Sequence, residues 1–295
     1  MSYPRLILLT LLAMLAFAGN SLLCRIALER TAIDAASFTM VRLAAGAIIL
    51  WLAARSRRHV PEGRGNWVSA TALFAYAAGF SFAYLSLPAA TGALLLFGAV
   101  QATMIGYGVW SGERLSLVQV IGVLLACAGL AGLLLPGASA PSLRGALLML
   151  GAGSAWGIYS LRGRGIGDPI RVTAGNFLRA VPMAALLSVA LRADASVDGT
   201  GIAYAVASGA LASGVGYVIW YMALPALKAS SAATVQLSVP VLAAAGGVLF
   251  LGEPVGVRLV LASVAVLGGI ALVIRASPTR SSSPLHGPGP AGRSP

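Results

Sequence analysis

Charge is what this chain has least of. Of its 295 residues only 9% are Asp, Glu, Lys or Arg, and the acidic ones number eight. Soluble domains ordinarily carry about a quarter. So few charges cannot build a water-facing surface, and most of the exterior must contact lipid. Histidine occurs twice and cysteine twice. Both cysteines, Cys24 and Cys127, fall inside apolar runs, which argues against a disulfide framework, a metal site or any cofactor. No nucleophile, base and ligand set clusters in the sequence, so an enzyme is not expected. The net charge of +12 would ordinarily raise nucleic acid as a partner. Here the basic residues sit in short connections between apolar stretches, where arginine retains the cytoplasmic loops of a membrane protein. The expected surroundings are therefore a lipid bilayer and no nucleic acid.

What is present is apolar and repeated. Apolar residues make up 58% and the mean hydropathy is +0.89. A span needs about 20 apolar residues to cross roughly 30 Å of hydrocarbon. Ten segments qualify: Leu6–Ala27, Ala35–Ala53, Trp67–Leu87, Thr91–Trp110, Ser116–Leu135, Gly145–Leu161, Val172–Leu191, Gly201–Leu224, Ala229–Leu251 and Val255–Ile274. The residues beyond Arg275, rich in Ser, Pro and Gly, are expected to be a disordered tail (276–295). Arg5, an apolar run and Ala16-Phe17-Ala18 resemble a signal peptide. The run continues to Leu23, however, and its removal would leave the sixth span without a counterpart, so the segment is read as a retained span.

The counterpart is visible in the chain itself. Tyr84…Leu87-Pro88-Ala89 returns as Tyr221…Leu224-Pro225-Ala226, 137 residues later. The same offset pairs Gly79 with Gly216, Phe80 with Tyr217 and Arg42 with Arg179. With the N-terminus inside, 13 basic residues fall on the cytoplasmic side, among them Arg55, Arg57, Arg58, Arg114 and Lys228, and five (Arg25, Arg30, Arg144, Arg192, Arg258) fall outside. That bias places both termini in the cytoplasm. Five spans per half is an odd number, so the second half enters from the opposite face. The fold expected is all-α and membrane-integral, with ten helices in two inverted five-helix repeats. Such repeats form equivalent gates around one site in many secondary transporters.

Further residues carry a family resemblance. Ser111-Gly112-Glu113-Arg114-Leu115 closes the fourth span, and Gly122, Gly129 and Gly132 run through the fifth. Pro240, Leu251-Gly252-Glu253-Pro254 and Gly268-Gly269 follow in the second half, with Trp156-Gly157 in the sixth span and Arg42 and Arg179 in the second span of each half. This is similar to the EamA-type domain, present twice (5–135 and 144–275), of the drug/metabolite transporter superfamily. Within it the chain resembles exporters of the YddG type, which pass aromatic and other neutral amino acids. The resemblance implies export across the inner membrane, with an amino acid as the small-molecule partner. Two positions depart from the pattern: Phe17-Ala18-Gly19-Asn20 stands where Trp-Gly-x-Asn is usual, and Val100 stands opposite Pro240.

The side chains narrow the mechanism. No Asp, Glu, His or Lys lies mid-span, whereas proton-driven carriers usually keep an ionisable group there. Facilitated transport by alternating access is expected, with export of another amphipathic metabolite or drug as the alternative and a membrane-embedded enzyme or sensor as a more distant one. Glu113 and Glu253 stand at span ends beside turn glycines and are read as caps for the helix that follows each. Arg42 and Arg179 are the only charges with depth. A substrate carboxylate, neighbouring carbonyls or snorkelling to the interface could each offset their cost. Tyr76, Phe80 and Tyr84 recur every four residues along one face of the third helix. Tyr217 and Tyr221 repeat that spacing on the eighth, and the sixth adds Trp156 and Tyr159. Hydroxyl groups facing lipid would go unsatisfied, so these aromatics should turn inward and meet the amides Asn20, Gln101, Asn176 and Gln236. The expected substrate-binding residues are Phe80, Tyr84, Gln101, Trp156, Tyr159 and Tyr217, and the expected gates are the Pro88 and Pro225 hairpins. Gly122-x-x-x-Ala126 and Gly209-x-x-x-Ser213 are read as contacts where helices approach closely.

Overall fold

The computed structural model describes residues 2–56, 64–137, 140–163, 168–227, 232 and 235–276. Among these residues are ten helices and no strand: α1 (Tyr3–Arg30), α2 (Ala35–Arg55), α3 (Trp67–Ala83), α4 (Ala89–Trp110), α5 (Leu117–Leu134), α6 (Leu143–Arg162), α7 (Pro169–Ala190), α8 (Gly199–Ala226), α9 (Ser238–Leu251) and α10 (Val257–Arg275). Seven of them are long and apolar enough to cross a membrane by length and composition alone. The expected start of the ninth span at Ala229, the tail beyond residue 276, and Arg57, Arg58 and Lys228 lie outside the described residues.

The helix starts follow from local chemistry. A helix leaves its first amides without partners, and Asp34, Asn66, Ser116, Ser142, Asp168 and Asp198 accept from them at the starts of α2, α3, α5, α6, α7 and α8. Ser116 and Gln119 complete a reciprocal capping box. α4 is different. It begins at Pro88, which offers no side-chain cap. The third span was expected to reach Leu87, but α3 ends at Ala83, and α4 starts at Ala89 rather than Thr91. The residues between them form the tight turn that leads into Pro88.

The packing shows the two-fold relation between halves. α2 lies against α7 and α5 against α10, so each of these helices packs on its own counterpart. α1 packs on α8 and α9, as α6 packs on α3 and α4. This is the pattern of two inverted five-helix repeats. The second half is locally modified: Ala207–Val215 in α8 and Gly247–Leu251 in α9 are wound as π-helix. Small residues set the closest approaches, as their spacing suggested. A Cβ on Gly122 would stand 2.5 Å from the Gly269 carbonyl, and one on Gly209 would fall onto the Arg42 carbonyl.

Overpacking typically costs about 1–3 kcal/mol. Gly209→Val and Gly122→Leu are expected to lower the thermal midpoint of the detergent-solubilised protein by several degrees. Gly151→Ala, where nothing lies within 4 Å, is expected to leave it unchanged. Tryptophan fluorescence on heating measures all three.

Candidate functional site

Seven helices or their immediate flanks (α1, α3, α4, α6, α7, α8 and α9) surround a cavity of about 560 Å³. α2, α5 and α10 contribute nothing to its wall. One end of the cavity is formed by Asn20, Ser21, Tyr76, Phe80, Leu96 and Phe97, and the other by Ser69, Arg162, Gly163, Pro169 and Leu224. The second group sits at the Pro225 end of the bundle, where Arg162 and Gly163 are exposed. Toward the Pro88 end the way is filled by Phe80, Tyr84, Leu87 and Leu95, all fully buried. Among the described residues the cavity is therefore accessible from the Pro225 end and sealed at the Pro88 end.

Five of the six expected binding residues line this space: Phe80, Gln101, Trp156, Tyr159 and Tyr217. The four aromatic rings among them form a continuous set through Tyr76. Trp156 stacks on Tyr217 at 5.5 Å and on Tyr159 at 5.3 Å, and lies 4.8 Å from Tyr76. Phe80 continues the row from Tyr76 at 5.5 Å. Tyr84 does not face the cavity. It ends the row as a plug, edge-on to Phe80 at 4.8 Å, with its hydroxyl donating to the Ala89 carbonyl at 3.3 Å. Being one turn beyond Phe80 on the same helix face moves it past the cavity and into the seal. Asn20, Asn176 and Gln236 also line the space.

Two polar networks hold the wall. At the sealed end the Ser208 hydroxyl donates to Asn20 Oδ1 at 2.7 Å, and Asn20 Nδ2 donates to the Tyr76 hydroxyl at 3.3 Å. Ser208 reaches inward from the π-helical stretch of α8, a conformation often found at functional sites. At the open end Thr173 donates to the Tyr221 hydroxyl at 3.2 Å, Tyr159 donates to Thr173 at 3.5 Å, and Asn176 donates to Tyr159 at 3.4 Å. The two deep arginines differ. Arg179 donates to the Arg64 and Gly175 carbonyls, a structural role. Arg42 is 2% exposed and, among the described residues, meets no carbonyl and has only the Tyr76 hydroxyl as a hydrogen-bond partner.

The seal at the Pro88 end is tied by residues whose roles the sequence did not reveal. The Glu253 carboxylate accepts from the Ala89 amide at 2.8 and 3.0 Å, and from Arg25 Nε at 3.3 Å. Arg25 also donates to the Tyr84 carbonyl at 3.0 Å. One carboxylate and one guanidinium thus join α1, the α3–α4 turn and the α9–α10 turn. Glu253 was expected to cap the helix that follows it. It caps α4 instead, because its own turn folds back over Gly247 and points the carboxylate at the uncapped Ala89. Burial raises the Glu253 carboxyl above its usual pKa, while the Ala89 amide and Arg25 pull it down. Burial and pairing therefore oppose one another at this carboxylate. Glu113 occupies the matching place in the first half, after a left-handed glycine (Gly112, φ 90°; Gly252, φ 69°), but it is exposed and caps nothing among the described residues.

Comparison with known proteins agrees with this architecture. The EamA-like transporter family matches residues 4–135 and again 143–275. The chain belongs to that family. It is a multi-pass membrane protein of the drug/metabolite transporter superfamily, with one EamA domain in each half. An uncharacterized protein of Pseudomonas aeruginosa is 61% identical over 271 residues, 92% of this chain and 94% of that one. The threonine/homoserine exporter RhtA of Salmonella typhimurium is 36% identical over 172 residues, 55% of this chain and 57% of RhtA. A solved crystal structure with 20% sequence identity superposes with a TM-score of 0.62, over 90% of this chain and 96% of that one, and supports the fold. No group of three or more His, Cys, Asp or Glu that could hold a metal occurs among the described residues.

Removing Glu253 leaves the Ala89 amide without its acceptor and Arg25 with only Glu29 and the Tyr84 carbonyl among the described residues, a loss of about 2 kcal/mol or roughly thirtyfold in an opening equilibrium. In a background with Cys24 and Cys127 replaced by alanine, a cysteine replacing the buried Ala83 is expected to resist a water-soluble maleimide. Glu253→Ala should raise its labelling rate more than tenfold, and Glu253→Gln should raise it less.

Proposed function

We propose that this EamA-family transporter exports neutral amino acids by alternating access, without ion coupling. The observation that carries the reading is the one-sided cavity: aromatic and amide groups form its wall, its only charged lining residue among those described is Arg162, and a polar tie seals its far end. An aromatic and amide wall suits a solute that is apolar on one side and zwitterionic on the other. Among the described residues it lacks the carboxylates that would attract a cationic drug and the basic cluster that a phosphorylated solute would need. The basic-residue bias supports a bacterial inner membrane location with the Pro225 end facing the cytoplasm. The structure then represents the loading state of an exporter.

The repeat supplies the opposite state. The 137-residue offset sets Arg162 over Arg25 and Tyr221 over Tyr84, and Glu113 over Glu253 with three more residues between. Among the described residues Arg162 donates only to Ser69, at 3.3 Å, and it stands at the cavity mouth. Closure of the Pro225 end would bring Arg162 to Glu113 and the Tyr221 carbonyl, rebuilding at that end the tie now seen at the other. The Pro88 and Pro225 hairpins are the moving parts of the two gates.

The aromatic wall favours aromatic amino acids. The relatives named as threonine/homoserine exporters favour small neutral ones, and one assay compares them. In proteoliposomes, labelled phenylalanine or threonine is expected to equilibrate down its gradient, and an imposed pH gradient should drive no accumulation. Trp156→Ala should cut flux about tenfold, near the upper end for one aromatic contact. Leu12→Ala, at a 40% exposed position on the outer face of α1, should change it less than twofold. Uphill accumulation abolished by a protonophore would contradict the uncoupled mechanism. Absence of amino-acid flux in folded protein would contradict the reading as a whole.

A further inference from the structure

Behind the sealed end of the cavity lies a buried cation that nothing among the described residues neutralises. Arg42 is 2% exposed, has no ion pair among the described residues, and leaves its Nε and Nη1 without a hydrogen-bond partner. Its guanidinium rests on the rings of Phe80 (4.7 Å to the centroid) and Tyr76 (5.3 Å), and Nη2 donates to the Tyr76 hydroxyl at 3.1 Å. Keeping a charged side chain inside a bilayer is costly unless it is paired. Two ring faces and one neutral hydroxyl are modest compensation.

The Tyr76 hydroxyl shows where the charge is directed. A phenol oxygen has two acceptor positions and one proton. Here the oxygen accepts from Arg42 Nη2 and from Asn20 Nδ2. With the Asn20 amide turned so that its Oδ1 accepts from Ser208, both acceptor positions are filled and the proton is left to donate, and no acceptor for it exists among the described residues. Tyr76 and Asn20 are cavity-lining residues, and Asn20 is itself held by Ser208. The wall thus presents an unused O–H donor backed by an unneutralised positive charge. A ligand group that accepts hydrogen bonds and carries negative charge matches it, and charge-assisted bonds of this kind are about twice as strong as neutral ones.

We infer that Tyr76, backed by Arg42, is the subsite for the substrate's carboxylate. The inference rests on the amino-acid reading above and deepens it by fixing orientation. The carboxylate enters first, toward the sealed end. The ammonium group and side chain remain among Trp156, Tyr159 and Tyr217, whose ring faces accept a cation where no acid stands. Tyr76 is the contact residue. Arg42 is a positioning residue that acts through it.

The test compares phenylalanine with phenylalaninamide, and threonine with threoninamide, as competitors of labelled phenylalanine or threonine flux in proteoliposomes. Wild-type protein is expected to prefer each acid over its amide by tenfold or more. Tyr76→Phe deletes only the hydroxyl and keeps the ring packing; it should bring the acid-to-amide ratio close to one. Arg42→Gln should do the same, and Arg42→Lys should retain part of the preference. A purely structural role for Arg42 would lower both ligands together and leave the ratio at its wild-type value, which would overturn the assignment. So would a wild-type protein that transports an amino acid without distinguishing it from its amide. A wild-type protein that transports neither amino acid fails the parent reading, and the subsite fails with it.

Discussion

α4 starts at a proline with no cap of its own, and the carboxylate of Glu253 supplies one from 164 residues away. That long-range cap organises the molecule. It holds the turn after α9 against the start of α4, and Arg25 adds α1 and the backbone of Tyr84. In a protein whose outer surface faces lipid, apolar association between helices is weak. A few polar ties at the ends of the helices can therefore decide which end of the bundle is closed. Tyr84 becomes a plug because its carbonyl is held by Arg25 while its ring fills the space beyond Phe80.

Two-fold symmetry makes that tie informative about motion. α2 with α7 and α5 with α10 pack counterpart on counterpart, so neither half has a distinct structural environment to itself. Yet one end is tied and the other is not: Arg25 holds Glu253, whereas Arg162 holds Ser69 and Glu113 is exposed. Equivalent halves in unequal states suit the alternating-access mechanism proposed above. The π-helical stretches of α8 and α9 mark where the halves have diverged. In α9 the stretch makes Glu253 six residues distant from Gly247, where Glu113 is five from Gly108.

The sequence displayed the fold through periodicity: apolar runs of span length, a 137-residue repeat, and an odd number of spans in each half. The cavity wall was legible for the same reason, since i, i+4 spacing places Tyr76 and Phe80 on one face and lipid excludes their polar neighbours from the other. Tyr84 shares that face, but facing is not depth, and one helical turn carried it from wall to plug. The Glu253–Ala89 tie could not be read from the chain, because no local pattern says which distant helix lacks a cap. A signal was nevertheless present: Pro88 opens a helix with nothing to accept from its amides, and Arg25 and Arg162 share the repeat offset. The unneutralised state of Arg42 depends on the absence of neighbours, which only packing can reveal.

The central claim is a single cavity opened alternately at its two ends, and paired distances test it most directly. On a cysteine-free background, one spin-label pair would join Leu85 and Val255 at the Pro88 end, and a second would join Ser111 and Gly163 at the Pro225 end; all four residues are exposed. Measured in lipid by pulsed electron resonance across a phenylalanine or threonine titration, each pair should show a short and a long distance. The long population at one end should grow as the long population at the other shrinks. Distances that never change, or that lengthen at both ends together as in a channel, would contradict the account.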